Sequence, residues 1–226
     1  MVILVSGVGS QRGVSALGSN SLPDRQTIQN GQCFPLYLYS KDNDENLLFS
    51  ITDSTRKFGI NNSILDIFTN KYDKKIKEED LFFYIYGLLH NKEYKIRFEI
   101  NLLNELPRIP PLNSYDEFLE TSMKGKQLFD LHTNFEKVEK YPISIKQNEN
   151  NLNEKLDPIS FYRVEKMKFI SKDDRSSITY NQNIVMENIP DKAYEYFVNG
   201  KPALEWVMER QCIKPVSYTH LTLPTN

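Results

Sequence analysis

Two cysteines, three histidines and one tryptophan are all that these 226 residues contain of those types. Cys33 and Cys212 have no metal-ligand spacing and are too few for a disulfide framework, so both read as buried thiols. His90, His132 and His220 stand in no HxxxH or CxxC context, which argues against a zinc centre. No apolar run reaches the roughly 18 residues needed to span a bilayer. Val2 to Val8 is apolar but short, and no basic segment precedes it, so it reads as a strand and not as a signal peptide. An excess of positive charge is missing as well: 28 basic and 30 acidic residues leave a net charge of −2. A free-standing DNA binder is usually more basic. Any nucleic-acid contact would therefore need patterned charge, or attached domains that supply most of the phosphate contacts.

What the chain does have is aromatic bulk. Tyr and Phe number 13 each and hydrophobic residues make up 39%, enough for a packed core. The most informative stretch is Phe82 to Pro110, FFYIYGLLHNKEYKIRFEINLLNELPRIP. Phe82, Phe83, Ile85, Tyr86, Leu88 and Leu89 form an apolar face at helical spacing, and Tyr94, Phe98, Leu102 and Leu106 continue it at intervals of four. The two runs meet at His90-Asn91, which predicts a helical hairpin. Pro107 and Pro110-Pro111 end it.

Around that stretch, Met1 to Val8 predicts a buried strand, and Phe34 to Tyr39 an edge strand around Pro35. Asn61 to Ser63 can cap a helix from Ile64 to about Lys71. Glu78, Glu79 and Asp80 suit the first turn of the next helix. Ser114 caps a short helix through Met123, Gly125 ends it, and Lys126 to Phe135 resumes. Gln147 to Glu154 is the least hydrophobic stretch, a loop or internal boundary. Strands are predicted at 161–164, 167–170, 178–180 and 184–186, with the 172–175 cluster as a turn. Pro190-Asp191 starts a helix carrying Tyr194, Phe197 and Val198, which Asn199-Gly200 ends. Pro202 opens a last helix with Leu204, Trp206 and Val207. Tyr86 and Trp206 both fall on apolar faces and are expected in the core.

Catalytic patterns are scarce. Val5 to Gly9 is a strand followed by GxG, but Arg12 occupies the place of the third glycine of a dinucleotide loop. There is no Walker A loop, no Asn/Asp-Pro-Pro-Tyr motif, no PD…ExK pattern and no triad spacing. The chain is expected to be non-catalytic by itself, with no cofactor or metal site of its own.

Four blocks, in order along the chain, carry a resemblance. They are VSGVGSQRGVSALGSNSLPD leading into GQCFPLYLY (Val5 to Tyr39), ITDSTRKF (Ile51 to Phe58), the Phe82 to Pro110 block with its YxYGxLH…Y…PRIP pattern, and SSITYNQNIVMENIPDKAYEYFVNGKPALEWVMER (Ser176 to Arg210). Together they resemble the C-terminal specificity domain of type ISP restriction-modification enzymes and related helicase-like proteins, over roughly residues 2 to 212. Lys201-Pro202 departs from the small or serine-like residue expected there.

The resemblance implies a mixed α/β (α+β) fold, like a target-recognition domain, in which a helical layer from about residues 60 to 135 packs on a small mixed sheet. Residues 1–215 would form this truncated domain. Residues 216–226 would be a non-native or disordered tail, since YTHLTLPTN resembles a translated sequencing adapter; the chain would then be a fragment. The implied function is recognition of double-stranded DNA. The parent would be a cytoplasmic protein with upstream methyltransferase and helicase domains, acting as an adenine-N6 methyltransferase and ATP-dependent endonuclease that uses S-adenosylmethionine, ATP and magnesium. The alternatives are a coupling module of the same enzyme or part of its methyltransferase domain. Reading bases needs forked donors and amides, and gripping phosphates needs cations, hydroxyls and backbone amides. Ser10, Gln11 and Arg12 offer such groups on the glycine loop, Arg56 and Lys57 form a second pair, and Lys172, Arg175, Asn181 and Gln182 form a third set.

Overall fold

The structure, a computed structural model, describes residues 1–10, 13–24, 27–28, 30–39, 56–147 and 157–213. The predicted tail, most of the 147–154 boundary, and Gln11 and Arg12 lie outside the described residues. The chain divides into two compact units, Met1–Glu139 and Lys140–Asn226.

In the first unit, strand β1 (Val2–Val5) lies between β2 (Ala16–Ser19) and β3 (Gln32–Pro35), antiparallel to both. All four β1 side chains are buried because both faces are covered, which is why they read as an unbroken apolar run. Ile3 and Val5 face the main core, while Val2 and Leu4 meet Ile28 on the other side, as the two-residue period of a strand requires. The predicted edge strand is split at Leu36. Pro35 closes β3, and β4 (Tyr37–Tyr39) pairs with β5 (Arg56–Phe58) as a separate ribbon.

Helix α1 (Asn62–Tyr72) is capped by Asn61, whose side chain accepts from Ser63 N at 3.0 Å. Helix α2 (Glu78–His90) places three acids in its first turn and buries seven side chains almost all round. Its main packing partner is α5 (Tyr115–Thr133), not the run that follows it, so the predicted hairpin needs correcting. That second run is short and broken. Phe98, at φ −112° and ψ 19°, separates α3 (Lys92–Arg97) from α4 (Glu99–Asn104), and Leu106 lies beyond both.

Gly125 does not end a helix either. It sits inside α5, where a Cβ would stand 2.0 Å from Phe83 O, and one on Gly87 would stand 2.6 Å from Thr121 O. The two glycines are the points at which the helix backbones approach. Around the crossing, Phe68, Tyr84 and Phe118 form one ring cluster, and Phe82, Phe83, Tyr86 and Phe129 another. The proline segment after α4 is held by phenols. Tyr84, Tyr94 and Tyr72 donate to the carbonyls of Pro110, Arg108 and Leu112 at 2.6, 2.6 and 3.1 Å. Prolines donate no amide hydrogen, so the side chains supply the bonds that hold this stretch.

In the second unit, β6 (Ser144–Gln147), β9 (Ile184–Glu187), β8 (Ile178–Thr179) and β7 (Lys168–Phe169) form an antiparallel sheet in that order. The 161–164 strand is not formed. Helix α6 (Pro158–Tyr162) takes up its first half, with proline at its start, where the missing amide hydrogen does no harm. The helix predicted from Pro190 is one 3₁₀ turn, Asp191–Tyr194. It is followed by a hairpin of β10 (Phe197–Val198) and β11 (Lys201–Pro202). Asn199 and Gly200, at φ 51° and 75°, form its two-residue turn; Asn-Gly here is a hairpin signal and not a helix stop. Helix α7 (Ala203–Arg210) is the last described element, with Trp206 half-buried and its Nε1 donating to Val198 O at 2.8 Å.

The class is mixed α and β, with the helical layer where the sequence places it. The strands form several small antiparallel sheets and not one mixed sheet. Cys33 is exposed on edge strand β3 and Cys212 is half-buried, so neither is the buried thiol expected. No helix among the described residues is long and apolar enough to cross a membrane.

Candidate nucleic-acid interface

The sequence-chosen residues fall in both units, in different states. Ser10 is 6% exposed, within a loop that folds back on itself. Gly13 N donates to Ser10 O at 3.4 Å, and Gly9 N donates to Leu103 O at the end of α4 at 3.1 Å. Gly9 and Gly13 both have positive φ, so the loop turns where glycine permits it.

Arg56 and Lys57 are exposed on β5. Register places Arg56 opposite Tyr39 and Lys57 opposite Leu38, so the two cations project from opposite faces of the ribbon. The Arg56 guanidinium lies 4.3 Å from the centre of the Tyr37 ring, a cation–π contact. Tyr37 in turn donates to Glu79 Oε1 at 2.8 Å, and that bond holds its phenol pKa above the ordinary value.

In the second unit, Lys172 is exposed in the β7–β8 turn beside Asp173 and Asp174. The Ser176 hydroxyl and amide lower the Asp174 carboxyl by hydrogen bonding. Arg175 has a structural setting: it pairs with Glu205 on α7 at 3.0 Å and lies over the Phe169 and Tyr194 rings. Asn181 turns inward. Its Nδ2 donates to Phe161 O and Arg163 O at 2.8 and 3.1 Å, and its Oδ1 accepts from the amides of Asn183 and Ile184 at 2.8 and 2.9 Å. Gln182, between them, is exposed.

Asn181 and Gln182 open onto a polar cleft of about 330 Å³. Arg163, Lys166 and Lys168 also line it, with Glu165 as the acid among its nine lining residues. Among the described residues of this unit, the cations found in ion pairs are Lys146, Arg175 and Lys201, and not Arg163, Lys166 or Lys168. Three positive charges against one negative concentrate a positive field that the whole-chain charge conceals. Such a wall can hold phosphates, and the exposed amide can read a base edge. Among the described residues no group of three or more His, Cys, Asp or Glu is placed to hold a metal ion.

The sequence reading missed Arg163, Lys166 and Lys168. Their signal is the run RVEKMK, in which Val164 and Met167 are buried in the core and the cations beside them stay outside. Assigning 161–164 to a strand obscured that pattern.

Comparison with known proteins gives a consistent result. The family profile described as the Type ISP C-terminal specificity domain matches residues 1–221. Among solved structures, the chain is similar to the ATP-dependent Type ISP restriction-modification enzyme LlaBIII bound to DNA, at 32% identity and TM-score 0.78, over 94% of this chain and 13% of that one. It is similar to a nuclease-deletion mutant of the Type ISP enzyme LlaGI in complex with a DNA substrate mimic, at 30% identity and TM-score 0.70, over 94% and 14%. It is also similar to DrdV in a DNA complex, at 29% identity and TM-score 0.76, over 92% and 20%. The chain thus spans between 13% and 20% of the length of these proteins. No curated protein matches it.

Proposed function

The chain belongs to the Type ISP C-terminal specificity domain family, and from that membership we propose that it is the DNA target-recognition module of a larger restriction-modification protein. The observation that supports this most is that at least 92% of the chain recurs, at TM-scores of 0.70 or more, in three enzymes whose structures contain DNA or a DNA mimic. In this reading the module binds double-stranded DNA and contributes no catalytic group. Arg163, Lys166 and Lys168 grip phosphates, with Arg56, Lys57, Lys172 and the Ser10–Gln11–Arg12 loop as further contacts. Arg175 and Asn181 shape the surface. The parent protein, acting in the cytoplasm, would supply the methyltransferase and helicase domains together with S-adenosylmethionine, ATP and magnesium.

Selection from a random duplex pool with the full chain tests the reading. The expected result is enrichment of a defined sequence, with affinity falling steeply as salt rises. Binding without enrichment would contradict it. It would favour a coupling module, a reading with one observation of its own: Ile96 and Ile100 are 75% and 77% exposed on α3 and α4, a pair of apolar side chains suited to a protein neighbour.

A further inference from the structure

Three consecutive amides, Asn181, Gln182 and Asn183, form the tip of the β8–β9 hairpin, and the structure treats them differently. The tip is closed by Tyr180 N and Asn181 N, both donating to Ile184 O at 3.0 and 3.3 Å. Both Asn181 amide hydrogens go to carbonyls of the α6 end, and its oxygen accepts two backbone amides. That is every hydrogen-bonding position the side chain has. Asn183 is 2% exposed, and its Nδ2 donates to the same Phe161 carbonyl at 3.1 Å. Two asparagines therefore pin the hairpin tip to the end of α6, and the residue between them is left exposed on the lining of the cleft.

We infer that Gln182 is a specificity-determining residue that reads adenine in the major groove, and that Asn181 and Asn183 are positioning residues that never touch DNA. The inference rests on the target-recognition reading above and names the base and the residue. A carboxamide offers one acceptor and one donor side by side, the complement of adenine N6–H and N7, and a fixed support lets both bonds form together. Arg163, Lys166 and Lys168 on the wall of the same cleft meet the phosphates beside that base, fixing register without reading sequence. None of the nine lining residues is aromatic, so the cleft has no platform on which unpaired bases would stack. The ligand it suits is an intact duplex.

Duplex selection with the full chain and with Gln182→Ala tests this. The original chain should enrich a site with a fixed A·T pair. Gln182→Ala should relax that one position about 10-fold or more while the other positions persist, and Gln182→Arg should move its preference towards G. Asn181→Ala, which loosens the tip, should blur the same position. Lys166→Gln with Lys168→Gln should weaken all sequences alike and lower the salt slope by about 2. If the chain enriches a site but Gln182→Ala leaves every position unchanged, the inference is wrong and the target-recognition reading stands. A uniform loss of binding in Gln182→Ala would assign the residue to the backbone and also overturn it. If the chain itself enriches nothing, both fail.

Discussion

The two units are built on different principles. Among the described residues, the first buries eighteen side chains in one continuous core, among them Phe68, Tyr84, Tyr86, Phe118 and Phe129, each no more than 2% exposed. The second gathers six, including two methionines, under strands of two to four residues. The first is held chiefly by ring packing and two helix backbones in contact, with phenols bonded to its proline segment; the second, with fewer packed rings, relies on side chains bonding to backbone: Asn181 and Asn183 to Phe161, Tyr194 to Arg175, Trp206 to Val198. A packed aromatic core fixes a scaffold at large free-energy cost to change. A thin core with polar staples leaves more surface free to vary in sequence while the backbone keeps its course.

The contrast can be broken by experiment. The only tryptophan, Trp206, reports the second unit, while most described helix lies in the first, so fluorescence and far-UV circular dichroism follow the units separately. We expect Tyr86→Ala to have the largest effect, about 3–5 kcal/mol, since it empties a fully buried ring site and removes the hydroxyl 2.5 Å from His132 Nδ1. The loss should appear in the helix signal. Trp206→Ala, at a half-buried site, should cost less, and an equal or larger loss there would erase the distinction between the cores. Gly125→Ala follows, at about 1–3 kcal/mol, because the added carbon meets the Phe83 carbonyl. Unchanged stability would mean that the helices can separate freely.

Acid should act on the first unit. Burial, then the charges of Lys95 and His132, lower the His90 pKa to about 3, and burial lowers that of His132. The unfolded chain takes up the His90 proton near pH 6.5 and the folded chain only near 3, so stability is present above 6.5 and drains away as pH falls between those values. The slope is about 1.4 kcal/mol per pH unit. Urea unfolding at pH 7 and pH 5 should show a lower helix midpoint at pH 5, with the difference reduced in His90→Leu. The smallest effect belongs to Glu205→Gln. It removes the partly exposed pair with Arg175 and should shift the tryptophan transition by less than about 1 kcal/mol.

How much was legible in the sequence follows the same division. Helices with strong local signals appear where expected: Asn61 caps α1, the Glu78–Asp80 acids open α2, and Ser114 starts α5, completing a capping box with Glu117. Errors arose where one residue type serves two purposes. Gly125 was read as a stop but allows a helix crossing. Asn199-Gly200 was read as a cap but makes a hairpin turn, and Leu36 joins two strands that run together in sequence. Whether an asparagine is free to read DNA depends on which carbonyl it meets, here those of Phe161 and Arg163, eighteen or more residues earlier in the chain. Spacing carries no trace of that. The cations at 163, 166 and 168 were visible as residues; their common wall became apparent only with α6 and the β8–β9 hairpin in place.

The central proposal is that the second-unit cleft supplies the main grip on DNA, where exposed lysines such as those at the end of α1 supply none. Its most direct test is the salt dependence of duplex binding in two charge-matched variants. One carries Arg163→Gln, Lys166→Gln and Lys168→Gln. The other carries Lys71→Gln, Lys74→Gln and Lys75→Gln, at the exposed end of α1 and just beyond it. The cleft variant should lose about 2 to 3 from the slope of log K against log salt, and the α1 variant should match the original chain. Equal slopes in the two variants would contradict the account.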